Sequence, residues 1–348
     1  MNWTVVQRIL GLLLMIFSVT MLPPVVVSLI YNDNSWLPFV EGFGLTLAAG
    51  FLCWLPVHRS KKDLRLRDGF LVVASFWTVL GTAGAAPLYF SDMLSLSFTD
   101  AVFESMSGLT TTGETVLTGL DELPMSILYY RQQLQWLGGM GIIVLAVAIL
   151  PMLRISGMQL YRAETPGPMK DAKLTPRITE TAKALWLIYV GITATCVLAY
   201  WLAGMKLFDA VGHAFSTVAI GGFSTHNDSL AYWSNPTVEA VAIVFMVIAG
   251  INFALHFTAW RGLSLAPYAA DAEFKTYLTI LGVVAVVVGL IVALLDGFDA
   301  VGLVDRGRRR RRAVDGRSPR RQGRAARSRR RGEGASLPRR RRNPAPPG

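Results

Sequence analysis

Ser107-Gly-Leu-Thr-Thr-Thr-Gly-Glu-Thr115, followed by Val116, lies between two long apolar segments, and a cruder version returns 109 residues later as Ser216-Thr-Val-Ala-Ile-Gly-Gly-Phe-Ser224. A short Thr/Gly stretch between segments of membrane length predicts irregular backbone dipping into a bilayer. Such backbone survives at that depth only when it is buried in protein or lines a watery cavity. Carbonyl oxygens lining a cavity replace the water shell of a cation. The stretch therefore points to an ion pathway.

Working outward, the same offset pairs Asp100-Ala-Val102 with Asp209-Ala-Val211, Ser107 with Ser216, Gly113 with Gly222 and Thr115 with Ser224. An internal repeat of this kind is a statement about architecture. Each copy runs apolar span, short segment, Gly-containing stretch, apolar span. The short segments, 98–109 and 208–218, cannot cross a bilayer and predict half-helices entering from outside. Asp100 and Asp209 fall near the helix starts, where the dipole favours negative charge. The opposite, C-terminal ends carry partial negative charge and point toward the carbonyls that follow. On this geometry the carbonyls of Thr111, Thr112, Ile220 and Gly221 contact the ion, and Thr110, Gly113, Val218, Ala219 and Gly222 support the same wall. Gly113 and Gly222 suit that place because glycine reaches conformations closed to other residues. Phe298-Asp-Ala-Val-Gly302 opens a third copy, but Arg312 stands where its wall glycine belongs. An arginine near the bilayer centre costs about 3 kcal/mol on insertion scales. The run 308–312 is therefore not expected to form a pore helix.

The chain has 348 residues, 52% hydrophobic and only 16% charged. Residues 306–348 hold 18 Arg, no Lys and two acids, so an overall charge of +11 conceals a slightly acidic body and an arginine tail. A bilayer core needs roughly 20 apolar residues of helix. Segments of that kind fall near 5–30, 37–57, 70–89, 127–153, 182–202, 238–257 and 277–295, with Pro23-Pro24 expected to bend or end the first helix. Basic loops at 58–67, 154–183 and 261–275 fall on one side when seven spans alternate, which places the N-terminus inside. Cys53 and Cys196 are far apart within apolar runs and read as small core residues. No P-loop or dinucleotide fingerprint occurs, so soluble enzyme classes lose support. Arg131 reads as a residue snorkelling to the outer interface, Gly138-Gly-Met-Gly141 as close helix packing, and His213 and His226 as structural or solvated.

Ser105-Met-Ser-Gly-Leu-Thr-Thr-Thr-Gly113, Gln135-Trp-Leu-Gly-Gly-Met-Gly141, Ala219-Ile-Gly-Gly-Phe-Ser-Thr-His226 and Gly250-Ile-Asn-Phe-Ala-Leu-His256 resemble the Trk/Ktr/HKT superfamily of potassium transporters, most closely the membrane subunit of the bacterial Trk system. The resemblance runs from the N-terminus to about Gly302. It implies an all-α polytopic membrane protein of K+-channel-like architecture, with span–pore-loop–span repeats around one pore. The expected division is residues 1–69 as two extra N-terminal helices with a basic loop, 70–181 and 182–275 as complete repeats, 276–302 as the start of a third, and 303–348 as a disordered, out-of-frame tail. K+ is then the transported ion, with no organic cofactor on the chain. The expected partners are membrane lipid, a second copy of the chain and a cytosolic nucleotide-binding TrkA-like subunit, without nucleic acid. The expected setting is a bacterial inner membrane. The family has four repeats in one chain, so an inactive truncated product stays open as a reading. So does a secondary transporter for an organic substrate.

Overall fold

The computed structural model describes residues 2–59, 66–144 and 174–315. Two compact units divide the chain, Met1–Lys275 and Thr276–Gly348. Every regular element among the described residues is a helix.

The first unit begins with α1 (Trp3–Val19) and α2 (Leu22–Tyr31), one apolar span broken at Thr20–Met21. Pro23 and Pro24 stand in the first turn of α2, where the absent N–H has no partner to lose, whereas further inside a helix the ring would clash with a carbonyl four residues back. The expected break is there. α3 (Leu37–Trp54) returns against α1, and α4 (Leu66–Gly84) with α5 (Ala86–Phe90) forms the next span.

The two expected half-helices are present. α6 covers Phe98–Leu109, and its first turn is closed reciprocally: the Ser97 hydroxyl accepts the Asp100 N–H (3.2 Å) and donates to the Asp100 carboxylate (2.7 Å). Serine caps such ends because its oxygen satisfies an N–H that has no helical acceptor. α7 (Met125–Val144) follows the first Thr/Gly strand, α8 (Leu174–Leu202) begins the second repeat, and α9 (Leu207–Ala219) is the second half-helix. Asp209 lies in the first turn of α9, yet its carboxylate accepts from the Thr225 hydroxyl (2.8 Å) beyond the second strand rather than capping the helix.

Two expected spans differ from prediction. The one near 127–153 begins as α7, whose outer half carries Arg131, Gln132, Gln133 and Gln135, all buried; residues 145–153 lie outside the described residues. The one near 238–257 is two helices, α10 (Pro236–Ala249) and α11 (Phe253–Gly262), bent by 90°. Gly250 ends α10, and the Asn252 side chain accepts the Ala254 N–H (3.0 Å), so the sequence between them reads stop, then start. His256 fastens the bend through Nε2 to the Ile248 carbonyl (3.0 Å) and Nδ1 to the Tyr268 hydroxyl (2.7 Å). The short helix α12 (Ala266–Ala270) follows.

Two large apolar cores organise the unit, with a smaller third cluster of Leu117, Leu120 and Leu128. One gathers Phe17, Met21, Leu88, Leu109, Tyr130 and Leu134 from the N-terminal helices and first repeat. The other gathers Leu185, Tyr189, Cys196, Tyr200, Val218 and Val238 from the second. α7 serves both: Tyr130 and Leu134 face the first core, Trp136 and Met140 the second. Cys196 is a core residue as expected, and Cys53 is half-buried.

α13 runs without interruption from Ala272 to Asp315. Its apolar part, Ala272–Leu294, is long enough to span a bilayer and is unburied throughout. The helix continues through 298–302, where the third copy opens, and on to Asp315, into the stretch read from sequence as a disordered tail; as expected, the run 308–312 follows no separate pore half-helix, and no proline interrupts the segment. The remainder of the tail lies outside the described residues.

Candidate functional site

α6 ends at Leu109 and α9 at Ala219, so each half-helix delivers its carbonyl end to the strand that follows. The backbone there has the same signature in both copies. Thr111 (φ +57°) and Ile220 (φ +54°) are left-handed, and so, two residues later, are Gly113 (φ +83°) and Gly222 (φ +88°). β-Branched residues avoid this region, and holding one there costs about 1–3 kcal/mol. Strain at the same place in two copies marks a position that the surrounding structure enforces.

The hydrogen bonds explain what the strain achieves. The N–H groups of Thr110, Thr111 and Thr112 donate back to the carbonyls of Met106, Gly108 and Ser107 (2.8, 3.0 and 2.9 Å). Those of Ile220 and Gly221 donate to Thr217 and Ser216 (3.1 and 2.8 Å), and that of Phe223 to Gln135 Oε1 (3.1 Å). Every one of these donors is turned into the protein. Among the described residues, no donor reaches the carbonyls of Thr111, Thr112, Ile220 or Gly221. Of the four residues only Gly221 is buried, while Thr112 and Ile220 are exposed, so these oxygens face space open to water or an ion rather than a protein donor.

The strands lie side by side. A Cβ built on Gly113 would overlap the Gly221 carbonyl oxygen, so the first strand approaches the second at the place where glycine also meets the positive φ. Gly222 has open space at the equivalent point. Thr110 and Thr112 link their hydroxyls (2.8 Å), Val218 is locked in the second core, and Ala219 packs on Gly139. All nine residues expected from sequence thus fall on these two strands or the helix ends feeding them. Gly138 abuts the Leu109 carbonyl, and Gly139 abuts Ala219. The glycine-rich motif is close packing as expected, aimed specifically at the ends of both half-helices.

Arg131 requires correction. It does not snorkel: it is 1% exposed and its Nε donates to Glu104 Oε1 at 2.7 Å, with Glu104 at 0%. α6 presents the Glu104 carboxylate to the same interior face, and the charge-assisted bond between them offsets part of the desolvation that both groups incur there. Glu104 also accepts the Thr115 hydroxyl and the Val116 N–H (2.9 and 3.0 Å). His213 is structural, as expected, bridging the Asp209 carbonyl and the Ser224 hydroxyl (2.9 and 3.0 Å). His226 stacks on Tyr232 and pairs through Nδ1 with Asp121 (2.5 Å), while the Asn227 amide donates to the same carboxylate (2.7 Å). The loops after the two strands are therefore tied to each other.

Sequence reasoning passed over Glu104, Gln135 and the role of Arg131. A usable signal existed: an Arg and three Gln within five residues of a span in a chain with few charges. Polar groups inside a membrane segment face the bundle interior and are functional by default.

Membrane-length helices interrupted by two half-helices and strained Thr/Gly strands define a polytopic helical membrane protein built from pore-loop repeats. Residues 37–301 match the TrkH family of cation transport proteins, and the chain belongs to that family, one of transporters rather than enzymes. It is 54% identical over 301 residues to the Trk system potassium uptake protein TrkH of Halomonas elongata, covering 86% of this chain and 62% of that protein. It is 44% identical over 283 residues to TrkG of Escherichia coli K12, covering 81% and 58%. The crystal structure of the potassium transporter TrkH from Vibrio parahaemolyticus superposes with a TM-score of 0.75 at 50% identity, covering 82% of this chain and 58% of that one. The chain thus spans about three fifths of the length of the relatives it matches.

Proposed function

We propose that this chain forms the ion-conducting wall of a Trk-type potassium uptake system, with K+ passing the carbonyls of Thr111, Thr112, Ile220 and Gly221. Thr110, Gly113, Val218, Ala219 and Gly222 hold that wall. The observation that carries the reading is the paired backbone signature, in which N–H groups turn inward in both repeats and carbonyls stay unclaimed. Such oxygens compensate a cation for its lost hydration, and the carbonyl ends of α6 and α9 add partial negative charge. The exposed Glu114 carboxylate beside the first strand raises the local cation concentration.

The setting proposed is a bacterial inner membrane with the N-terminus cytoplasmic, supported by the basic loops sharing one side. A second copy of the chain and a cytosolic nucleotide-binding, TrkA-like subunit are the proposed partners, drawn from the Trk system named for the relatives. The test is uptake of Rb+ and K+ in a bacterial host stripped of its own potassium systems, with such a regulatory subunit supplied. Growth at low K+ and Rb+ uptake competed by K+ more than by Na+ are expected. Uptake competed instead by small organic solutes overturns the reading in favour of an organic-substrate transporter.

A further inference from the structure

One buried side-chain constellation reaches both strands. The Arg131 guanidinium bonds not only Glu104 but also the Thr115 hydroxyl (3.0 Å), just past the first strand, and the Ser224 carbonyl (3.3 Å), just past the second. Its plane lies over the Phe223 ring, 4.4 Å from guanidinium carbon to ring centroid. A staple between α6 and α7 needs only the contact to Glu104. The other contacts leave α6 altogether and go to strand ends that are 109 residues apart in sequence.

We infer that the Arg131–Glu104 pair is a positioning element that sets the spacing of the two Thr/Gly strands and, resting on the function proposed above, the preference of their carbonyls for K+ over smaller cations. Carbonyl spacing decides which dehydrated cation is matched, and each strand is anchored at its outer end to one rigid, fully desolvated fork. Gln135, one turn further along α7, accepts the Phe223 N–H and fills the space behind Gly221, so α7 carries the reference frame for both copies. Lysine cannot replace this arginine: it has the charge but not the planar set of donors that reaches Glu104, Thr115 and Ser224 together.

The experiment uses the full chain, purified in lipid nanodiscs, with Rb+ binding competed by K+ or Na+. Arg131→Lys and the double variant Glu104→Met/Arg131→Met are compared with the unchanged protein. The double variant leaves no lone buried charge, and such paired replacements keep folds intact. The K+-over-Na+ preference is expected to fall about tenfold or more in both, equivalent to one decade in the ratio of dissociation constants, while both variants still melt cooperatively. Preference kept within about twofold in both variants overturns the inference. Hydrogen exchange reads the same element without any ion: the peptides holding Thr115–Leu117 and Phe223–Thr225 are expected to exchange faster in both variants, and unchanged protection also overturns it. If the unchanged protein shows no K+ preference, the proposed function fails, and faster exchange in the variants still upholds the positioning of the strands.

Discussion

Gly113 and Gly222 hold equivalent places in their repeats but meet different surroundings, and the difference is measurable. Both have a positive φ, so alanine at either site is strained by about 1–2 kcal/mol. At Gly113 the new methyl also drives into the Gly221 carbonyl, whereas at Gly222 it meets open space. Gly113→Ala is therefore expected to abolish Rb+ uptake and displace the adjoining carbonyl, and Gly222→Ala to keep a reduced flux. Equal loss at both positions in an uptake assay would show that conformation alone, without the contact, governs the strand. Glycine at these positions was legible in the sequence because no other residue takes that backbone cheaply. The neighbouring Thr111 and Ile220 were legible only as members of the segments that follow the two half-helices. Their left-handed conformation was not, since β-branched side chains predict the opposite, and only tertiary packing enforces it. Arg131 was hidden for a related reason: its partner Glu104 lies on another helix, and no local pattern joins residues 27 apart.

Half-helix α6 was predicted residue for residue and α9 within one residue at each end, because short apolar segments opened by Ser97 or an acidic first turn and closed by Thr/Gly leave little choice. The bend between α10 and α11 was missed because the apolar run continues across it, and periodicity does not register a cap inside a hydrophobic stretch. Asn252 is what the break depends on: Asn252→Ala is expected to cost about 1 kcal/mol of stability, seen as a lower melting temperature, while Asn252→Asp keeps the cap. Between elements, the loop after the first strand is tied to the loop after the second through Asp121. The hydrogen bond from His226 holds the Asp121 carboxyl below its ordinary value, with Asn227 adding to it. A carboxyl depressed in the folded state contributes above its unfolded value, about 3.9, and loses that contribution as pH falls through the folded value. The Leu120 N–H, which donates to Asn227 Oδ1 (3.0 Å), reports on this tie. Its exchange protection is expected to decline on acidification through that range and to be low and flat with pH in Asp121→Asn. Protection that stays flat in the unchanged protein argues against the tie.

At the scale of the whole chain, the offset of 109 residues makes a stronger claim than any single motif: two copies related this way must present their strands and following loops to the same side of the membrane. Charge distribution makes an independent claim: if the spans alternate, the basic segments 58–67, 154–183 and 261–275 are expected on the other side. Neither argument uses the other, and the two agree. Both claims are checked together by single cysteines placed in a Cys53→Ala/Cys196→Ala background and probed with a membrane-impermeant maleimide. Thr118→Cys, in a loop, and Ser229→Cys, at the start of the short 3-10 helix Ser229–Trp233, sit on exposed positions just beyond the two strands and are expected to react when reagent is added outside intact cells. Leu263→Cys, at the exposed end of α11, is expected to react only once the cytoplasmic face is opened. Val284→Cys, within an apolar stretch unburied by protein, is expected to react from neither side, because lipid excludes a charged reagent where water would admit it. Labelling of Thr118→Cys and Ser229→Cys from opposite sides would break the repeat itself, and with it the reading of the two strands as one wall. Their joint labelling from the cytoplasmic side alone would keep the repeat and reverse the orientation.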